Sequence, residues 1–259
     1  MEPTATAPKS AAHASDKPFV VIVMPAYNAA KTLEDTFRRI PEGFDEVIVV
    51  DDHSRDDTTA LAKSLNLKAI RHPHNVGYGG NQKTCYMEAL RAGAQVVVML
   101  HPDGQYEPEL IADLVRPITE GRADMVLGSR FLIPGGPRTA KMPGWKIVAN
   151  RFLTTLENLA MGSRFSECHT GYRAYSAAFL RRIPFLRNSN DFVFDTQVLA
   201  QAAAFKQRIV EVPARTRYFS DASSVGFAAG VRYGVKTLWV MIAFRAWRLG
   251  LVRSRLFEP

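Results

Sequence analysis

Short runs of β-branched residues, each followed by a helix-length mixed stretch, limit what this chain can become more than any other feature. "FVVIVMP" (19–25) precedes "KTLEDTFRRI", "EVIVVDD" (46–52) precedes "DDTTALAKSL", and "LKAIRH" (67–72) precedes the glycine-rich "NVGYGGNQKTCYMEALRAG". "VVVML" (96–100), "PELIADLVRPITEG" and "ADMVLGSRF" repeat the rhythm. Strands that are apolar on both faces and alternate with helices predict an α/β fold: a Rossmann-like, mostly parallel sheet with helices on both faces. From about residue 133 the pattern becomes irregular. A Gly/Pro-rich loop, "IPGGPRTAKMPGW", leads to a helix, "WKIVANRFLTTLENLAMG", and then to a strand-like "RIVEVPARTRY". The second half reads as an elaboration of one core.

Charge is placed unevenly. The chain of 259 residues carries a net +8, and residues 205–259 hold ten Lys/Arg against three acids, leaving +7 in that stretch. Such an end points to an anionic partner: nucleic acid, a membrane surface or an anionic substrate. No basic-aromatic recognition motif supports nucleic acid. Two cysteines without CxxC spacing give neither a disulfide framework nor a zinc signature, and a reducing, cytoplasmic compartment is the default. The first eighteen residues lack the apolar stretch of a secretory signal and read as a disordered tail. The longest uncharged run near the C-terminus, "TLWVMIAF", would span roughly 12 Å as a helix, well short of a bilayer core of about 30 Å. A helix over about 227–251 would carry Arg232 and Lys236 on one side and Arg245 and Arg248 nearly opposite. It is expected either to pack on the core or a second copy, or to lie in a membrane interface with Trp239, Phe244 and Trp247 at headgroup level.

Ligands of open α/β sheets sit outside the carboxyl ends of the strands. That directs attention to Pro25-Ala26-Tyr27-Asn28, Asp51-Asp52-His53-Ser54, His101-Pro102-Asp103 and Gly128-Ser129-Arg130. Pro102 cannot continue a ladder, so the fourth strand is expected to end at His101. The residues beyond it read either as a turn or as a metal or phosphate site. Asp103 and Gln105 offer the hard oxygen ligands that suit Mg²⁺ or Mn²⁺. Ser54 and Asp56 suit the cap of the next helix. Adjacent Asp51 and Asp52 at a buried strand end must be paired with something, and a nucleoside's ring N–H or ribose hydroxyls would serve. "NVGYGGNQK" fails the GxGxxG spacing; its glycines, Gly77 and Gly79 among them, read either as turn formers or as a loop lying against a nucleotide, with Lys83 close behind.

Together, "MPAYNA", "VIVVDDHSRDDT", "NVGYGGNQ", "HPDGQYEP", "GSRF", "HTGYRAY" and "EVP" resemble, in order, the motifs of family 2 glycosyltransferases. Within that family the look is that of dolichyl- and polyprenyl-phosphate sugar synthases, mannose synthases among them. The resemblance runs from about residue 20 to 224. It implies a GT-A fold, a nucleotide-sugar donor (GDP-mannose or a UDP-hexose), Mn²⁺ or Mg²⁺, and inversion at the anomeric carbon. It divides the chain into a tail (1–18), a catalytic domain (19–224) and a basic helical segment (225–259). By position it assigns donor contacts to Pro25, Ala26, Tyr27, Asn28, Asp51, Asp52, Gly77, Gly79, Lys83 and Pro102, with Ala29 where the family has an acid. It assigns the metal to Asp103 and Gln105, with His101 standing where the family has the first acid of Asp-x-Asp. Arg130, Arg173 and Arg217 are implied at the acceptor phosphate, and Glu167 or Asp195 as the base or sugar-orienting carboxylate beside Asp103.

The leading expectation is transfer of one hexose to a polyprenyl or dolichyl phosphate, or to a similar acceptor at the membrane. Peripheral seating on the cytoplasmic membrane face goes with it. A soluble hydroxyl acceptor, or a non-catalytic nucleotide-sugar-binding module, are the alternatives. The oligomeric state is left open.

Overall fold

The strand β1 (Val20–Ala26) is buried along its whole length at the middle of the sheet, as a continuous apolar run requires. In this computed structural model, which describes residues 17–217 and 227–258, seven strands form one sheet. They are β1, β2 (Glu46–Asp51), β3 (Lys68–Arg71), β4 (Val96–Met99), β5 (Met125–Ser129), β6 (Arg173–Ser176) and β7 (Ile209–Pro213), in the spatial order 3-2-1-4-6-5-7. The helices between them are α1 (Leu33–Arg38), α2 (Thr58–Ser64), α3 (Tyr78–Arg91), α4 (Ile111–Thr119), α5 (Gly136–Thr139), α6 (Gly144–Met161), α7 (Ala177–Arg182), α8 (Phe194–Ala204) and α9 (Phe227–Arg248). One apolar cluster packs under α3, α8 and α9, and a second lies on the opposite face under α1, α2 and α4. The expected α/β architecture is present.

All neighbouring strands pair in parallel except β6, which runs antiparallel to both β4 and β5. Its first residue, Arg173, pairs with Met99 on one side and Leu127 on the other. The loop that enters β6 therefore reaches the same sheet edge as the carboxyl ends of its neighbours. Strand order reverses between β1 and β4, so the crevice that such sheets use for ligands opens at Ala26, Asp51 and His101. β4 ends at Met99 rather than at His101.

Two local differences from the expected pattern matter for the site. Gly79 and Gly80 belong to the first turn of α3 rather than to a loop. A Cβ on Gly79 would meet the Ser189 carbonyl oxygen at 2.3 Å and Phe194 Cβ at 2.8 Å, so this glycine lets α3 press against the start of α8. The second difference concerns α9. Phe244 is buried against Phe257, and Trp247 packs on the same ring, so neither stands at an outer surface; Trp239 does. The expected tail lies outside the described residues up to position 16, and so does the expected boundary at 224–225. No helix of the described residues is long and apolar enough to cross a membrane.

Gly79→Ala is expected to lower unfolding free energy by about 1–3 kcal/mol through overpacking. Gly144→Ala, where nothing lies within 4 Å of the added Cβ, should be neutral or slightly stabilising. Urea midpoints of the two variants compare them directly.

Candidate active site

Asp51 and Asp52 are buried, and the chain itself pairs them. Asp51 accepts hydrogen bonds from the Ser54 amide at 2.9 Å and from the Ser54 and Thr59 hydroxyls, which ties β2 to α2. Asp52 accepts from the Val76 and Gly77 amides at 2.8 and 3.0 Å, and His72 Nδ1 lies 2.9 Å away. The pairing that these carboxylates require is thus supplied by the protein's own groups, a duty for which a nucleoside's ring N–H or ribose hydroxyls would also serve. Ser54 Oγ accepts from the Asn28 amide at 2.8 Å, and Asn28 Oδ1 accepts from the Arg55 amide at 2.9 Å. Pro25 and Ala26 are buried in β1 while Tyr27 projects into solvent beside them. Gly77 and Gly79 touch Asn190 and Ser189, and Lys83 donates to the Asn188 carbonyl and the Asn190 side chain. All three meet the protein's own 188–190 segment where the motif places a nucleotide.

The β4 tip is built around His101. Gly171 is the closest approach: a Cβ there would lie 2.8 Å from His101 Nε2, so only glycine leaves the ring its space. The Tyr78 hydroxyl donates to Asp195 Oδ2 at 2.7 Å and sits 3.2 Å from His101 Nε2. A hydroxyl has one proton, so Tyr78 accepts from Nε2–H, which leaves Nδ1 as the ring nitrogen that can offer a lone pair. Asp103 is half-buried and accepts from the Gln105 amide at 2.9 Å. Burial pushes its carboxyl above the ordinary range, opposed by the hydrogen bond from the Gln105 amide. Pro102 is buried, its carbonyl accepting from the Thr32 hydroxyl at 2.5 Å. Arg217 arrives from β7, its amide donating to the Gln105 carbonyl at 2.8 Å.

A cavity of about 270 Å³ adjoins this tip, lined by Tyr78, Gln105, Tyr106, Arg130, Lys146 and Asp195 among others. Small-ligand sites commonly run from about 300 to 1,000 Å³, so this one suits a single sugar or phosphate group rather than a whole nucleotide sugar. Arg130 enters from the end of β5. Its amide and Nε donate to Glu167 Oε2 at 2.9 and 3.0 Å, and Nη2 donates to Glu167 Oε1 and, at 2.9 Å, to the His169 carbonyl. Glu167 is wholly buried, and Asn150 Nδ2 donates to its Oε1 at 2.9 Å. Glu167 thus orients Arg130 and is not placed as a base. Arg173 differs from expectation too: it is fully buried, and its Nε, Nη1 and Nη2 donate to the carbonyls of Thr170, Asp195 and Cys168 at 2.7, 3.0 and 3.1 Å. It staples the loop and cannot reach an acceptor. Asp195 does not cap α8, whose N-cap is Val193; its carboxylate lines the cavity, held by Tyr78 and by Gln82 Nε2 at 3.3 Å.

Lys146 lines the same cavity. Burial lowers its pKa, and the positive charge of Arg130 lowers it further. No motif singles it out, because it opens a helix in the irregular stretch and only the fold brings it to Arg130. His169 escapes sequence reasoning for the same reason. Its Nδ1 lies 2.8 Å from the Tyr233 hydroxyl of α9, and its Nε2 lies 2.9 Å from Glu157, a buried carboxylate on α6. Among the described residues no three His, Cys, Asp or Glu side chains gather into a self-sufficient metal cluster.

This sheet order, with its cavity beside the crevice at the strand ends, is the GT-A fold of nucleotide-sugar transferases. A glucosyl-3-phosphoglycerate synthase from Mycobacterium tuberculosis, solved with uridine diphosphate, superposes with a TM-score of 0.69 at 19% identity, covering 92% of this chain and 82% of that one. The family model for glycosyl transferase family 2 matches residues 21–183, and the chain belongs to that family. An undecaprenyl-phosphate mannosyltransferase of Micrococcus luteus is 29% identical over 253 residues, 90% of this chain and 99% of its own length. A UDP-N-acetylglucosamine–dolichyl-phosphate N-acetylglucosaminyltransferase of Methanococcus voltae is 27% identical over 244 residues, 87% of this chain and 96% of that relative. The motif resemblance to polyprenyl-phosphate sugar synthases is borne out.

Two predictions come from this geometry. Glu167→Ala leaves the buried Arg130 without its carboxylate and is expected to cost about 3–5 kcal/mol of stability, read by urea unfolding; a loss confined to rate would mean that Glu167 serves as a base instead. Asp103 has a raised carboxyl, so its ionisation opposes folding at pH values above the ordinary Asp pKa of about 3.9. Asp103→Asn should therefore stabilise the metal-free protein at pH 7, and the gain should fade as the pH falls below the ordinary carboxylate range.

Proposed function

We propose that the protein transfers one hexose from a nucleotide-diphosphate sugar to a polyprenyl phosphate, with inversion at the anomeric carbon. The observation that carries this reading is the meeting of Arg130 and Lys146 in one small cavity, close enough that the first depresses the pKa of the second. An anionic phosphate relieves that repulsion, and a neutral hydroxyl does not. The names of the polyprenyl- and dolichyl-phosphate relatives support the same acceptor class.

In this reading a phosphate oxygen of the acceptor attacks the anomeric carbon from the cavity side. The bond from that carbon to the diphosphate breaks, and the nucleoside diphosphate leaves with the electron pair. The acceptor is already anionic, so no base need remove a proton. Arg130, fixed by Glu167, and Lys146 hold the attacking phosphate. Asp195, fixed by Tyr78 and Gln82, faces the sugar hydroxyls.

The donor set at the β4 tip fits a divalent cation. It combines a carboxylate that burial has left undercompensated at Asp103, an amide oxygen at Gln105, and the Nδ1 lone pair of His101. These residues would hold Mn²⁺ or Mg²⁺, and a cation there would supply Lewis-acid neutralisation of the charge growing on the leaving nucleotide. Mn²⁺ accompanies uridine diphosphate in a structure of the mycobacterial synthase, which supports the same use here. Asp195 in the cavity favours a second reading, a hydroxyl acceptor whose proton it would take.

An acceptor panel decides between them. Wild-type protein with Mn²⁺ and either UDP- or GDP-sugars should glycosylate a short-chain polyprenyl phosphate in preference to free saccharides. Lys146→Gln should raise the acceptor KM about 10- to 100-fold, the range for losing one charged hydrogen bond, and leave the donor KM unchanged. Preference for a hydroxyl acceptor with an unmoved KM in Lys146→Gln would overturn the phosphate reading.

A further inference from the structure

The outer faces of α6 and α9 are apolar where surface helices are ordinarily polar. On α6, Trp145, Val148, Phe152 and Leu159 recur at helical spacing and face outward, with Val148 70% and Leu159 69% exposed. On α9 the outward positions are Val231, Val235, Trp239 and Ile242, with Trp239 65% exposed. The two helices run side by side in the same direction. A Cβ on Gly230 would lie 3.6 Å from the Trp145 ring and one on Gly234 3.6 Å from Leu153, while Arg248 at the far end donates to the Met161 carbonyl at 3.2 Å. The two apolar stripes therefore adjoin.

The exposed charges that the two helices themselves carry have one sign, and one of them, Lys236, is ion-paired with Asp191 from outside the helices. Lys146, Arg151, Arg232, Lys236, Arg245 and Arg248 are the basic residues of the two helices, and their single acid, Glu157, is buried. In projection along α9, Arg232 and Lys236 flank its apolar stripe on one side and Arg245 and Arg248 on the other. The arrangement that reads in sequence as a broken amphipathic helix is an apolar strip edged by cations.

We propose that this paired α6–α9 face docks on an anionic lipid bilayer. Apolar residues with a tryptophan enter the interfacial zone, and the flanking cations meet lipid phosphates. A second copy of the chain is the less favourable occupant, because self-docking sets like charges against one another. The wall of the cavity includes Trp145, Ala149 and Leu153 of α6 and Gly230 and Tyr233 of α9, near the N-terminal ends of the same two helices. A bilayer on this face lies against helices that wall the cavity holding Arg130, where a lipid phosphate would bind. That last link rests on the proposed acceptor; the docking does not.

Vesicle flotation of the full chain tests the proposal. The protein should float with phosphatidylcholine vesicles that contain phosphatidylglycerol, and less so in high salt or with phosphatidylcholine alone. Phe152→Ser combined with Trp239→Ser removes two exposed side chains outside the cavity. It should reduce vesicle affinity by at least about tenfold and leave the urea midpoint and the rate on a short-chain, water-soluble acceptor phosphate unchanged. Equal flotation of variant and wild type overturns the docking surface. So does a dimer in analytical ultracentrifugation that the same double variant dissolves, which would assign the face to a second copy. Flotation without sugar transfer to any lipid phosphate would leave the docking standing and remove the acceptor reading instead.

Discussion

A guanidinium and a carboxylate taken out of water together anchor the site. Arg130 and Glu167 lie 37 residues apart in sequence and meet through both edges of the carboxylate. Removing ions from water costs several kcal/mol each, and only tight geometry with every lone pair used offsets it. The surroundings meet that demand. Asn150 donates to Glu167 from α6, and the Glu211 carboxylate on β7 accepts the Ser166 amide at 2.8 Å and the Glu167 amide at 3.1 Å. One ion pair thus fixes the end of β5, the loop into β6 and the start of α6 against one another, and the cavity wall is what they form.

A second chain of contacts, from Gln82 through Asp195 and Tyr78 to His101, settles the other wall. It depends on Gly79, because α3 must approach α8 closely before two of its side chains, one turn apart, can share one carboxylate. The same hydroxyl that steadies Asp195 selects which imidazole nitrogen of His101 keeps its lone pair. Packing and chemistry are coupled here through a hydrogen-bond direction.

Sequence pattern carries the layered architecture and most strands, since continuous β-branched runs have few other solutions. β6 is not legible: four residues, Arg-Ala-Tyr-Ser, show neither alternation nor an apolar run. The motif order locates the site's edge but not the duties of its residues. Asp51, Asp52, Glu167 and Arg173 have the residue types of ligand-binding groups, and the structure commits them to backbone amides and carbonyls, to the Ser54 and Thr59 hydroxyls, to His72 and to Arg130. Lys146 and His169 carry no local signal and matter only because distant helices place them at the cavity. The outward apolar stripes are hidden because periodicity shows that a helix has an apolar face, and only the packed neighbours show which way it turns.

The antiparallel course of β6 has a consequence for how the chain assembles. β4 and β5 succeed each other in sequence yet never pair; the strand between them comes more than forty residues after β5 begins. A nascent chain that has emerged only as far as α6 holds two buried strands, each with an unmet edge toward the missing partner. Closing the sheet must wait for Arg173–Ser176, which makes completion of the catalytic edge a late, long-range event rather than a local one.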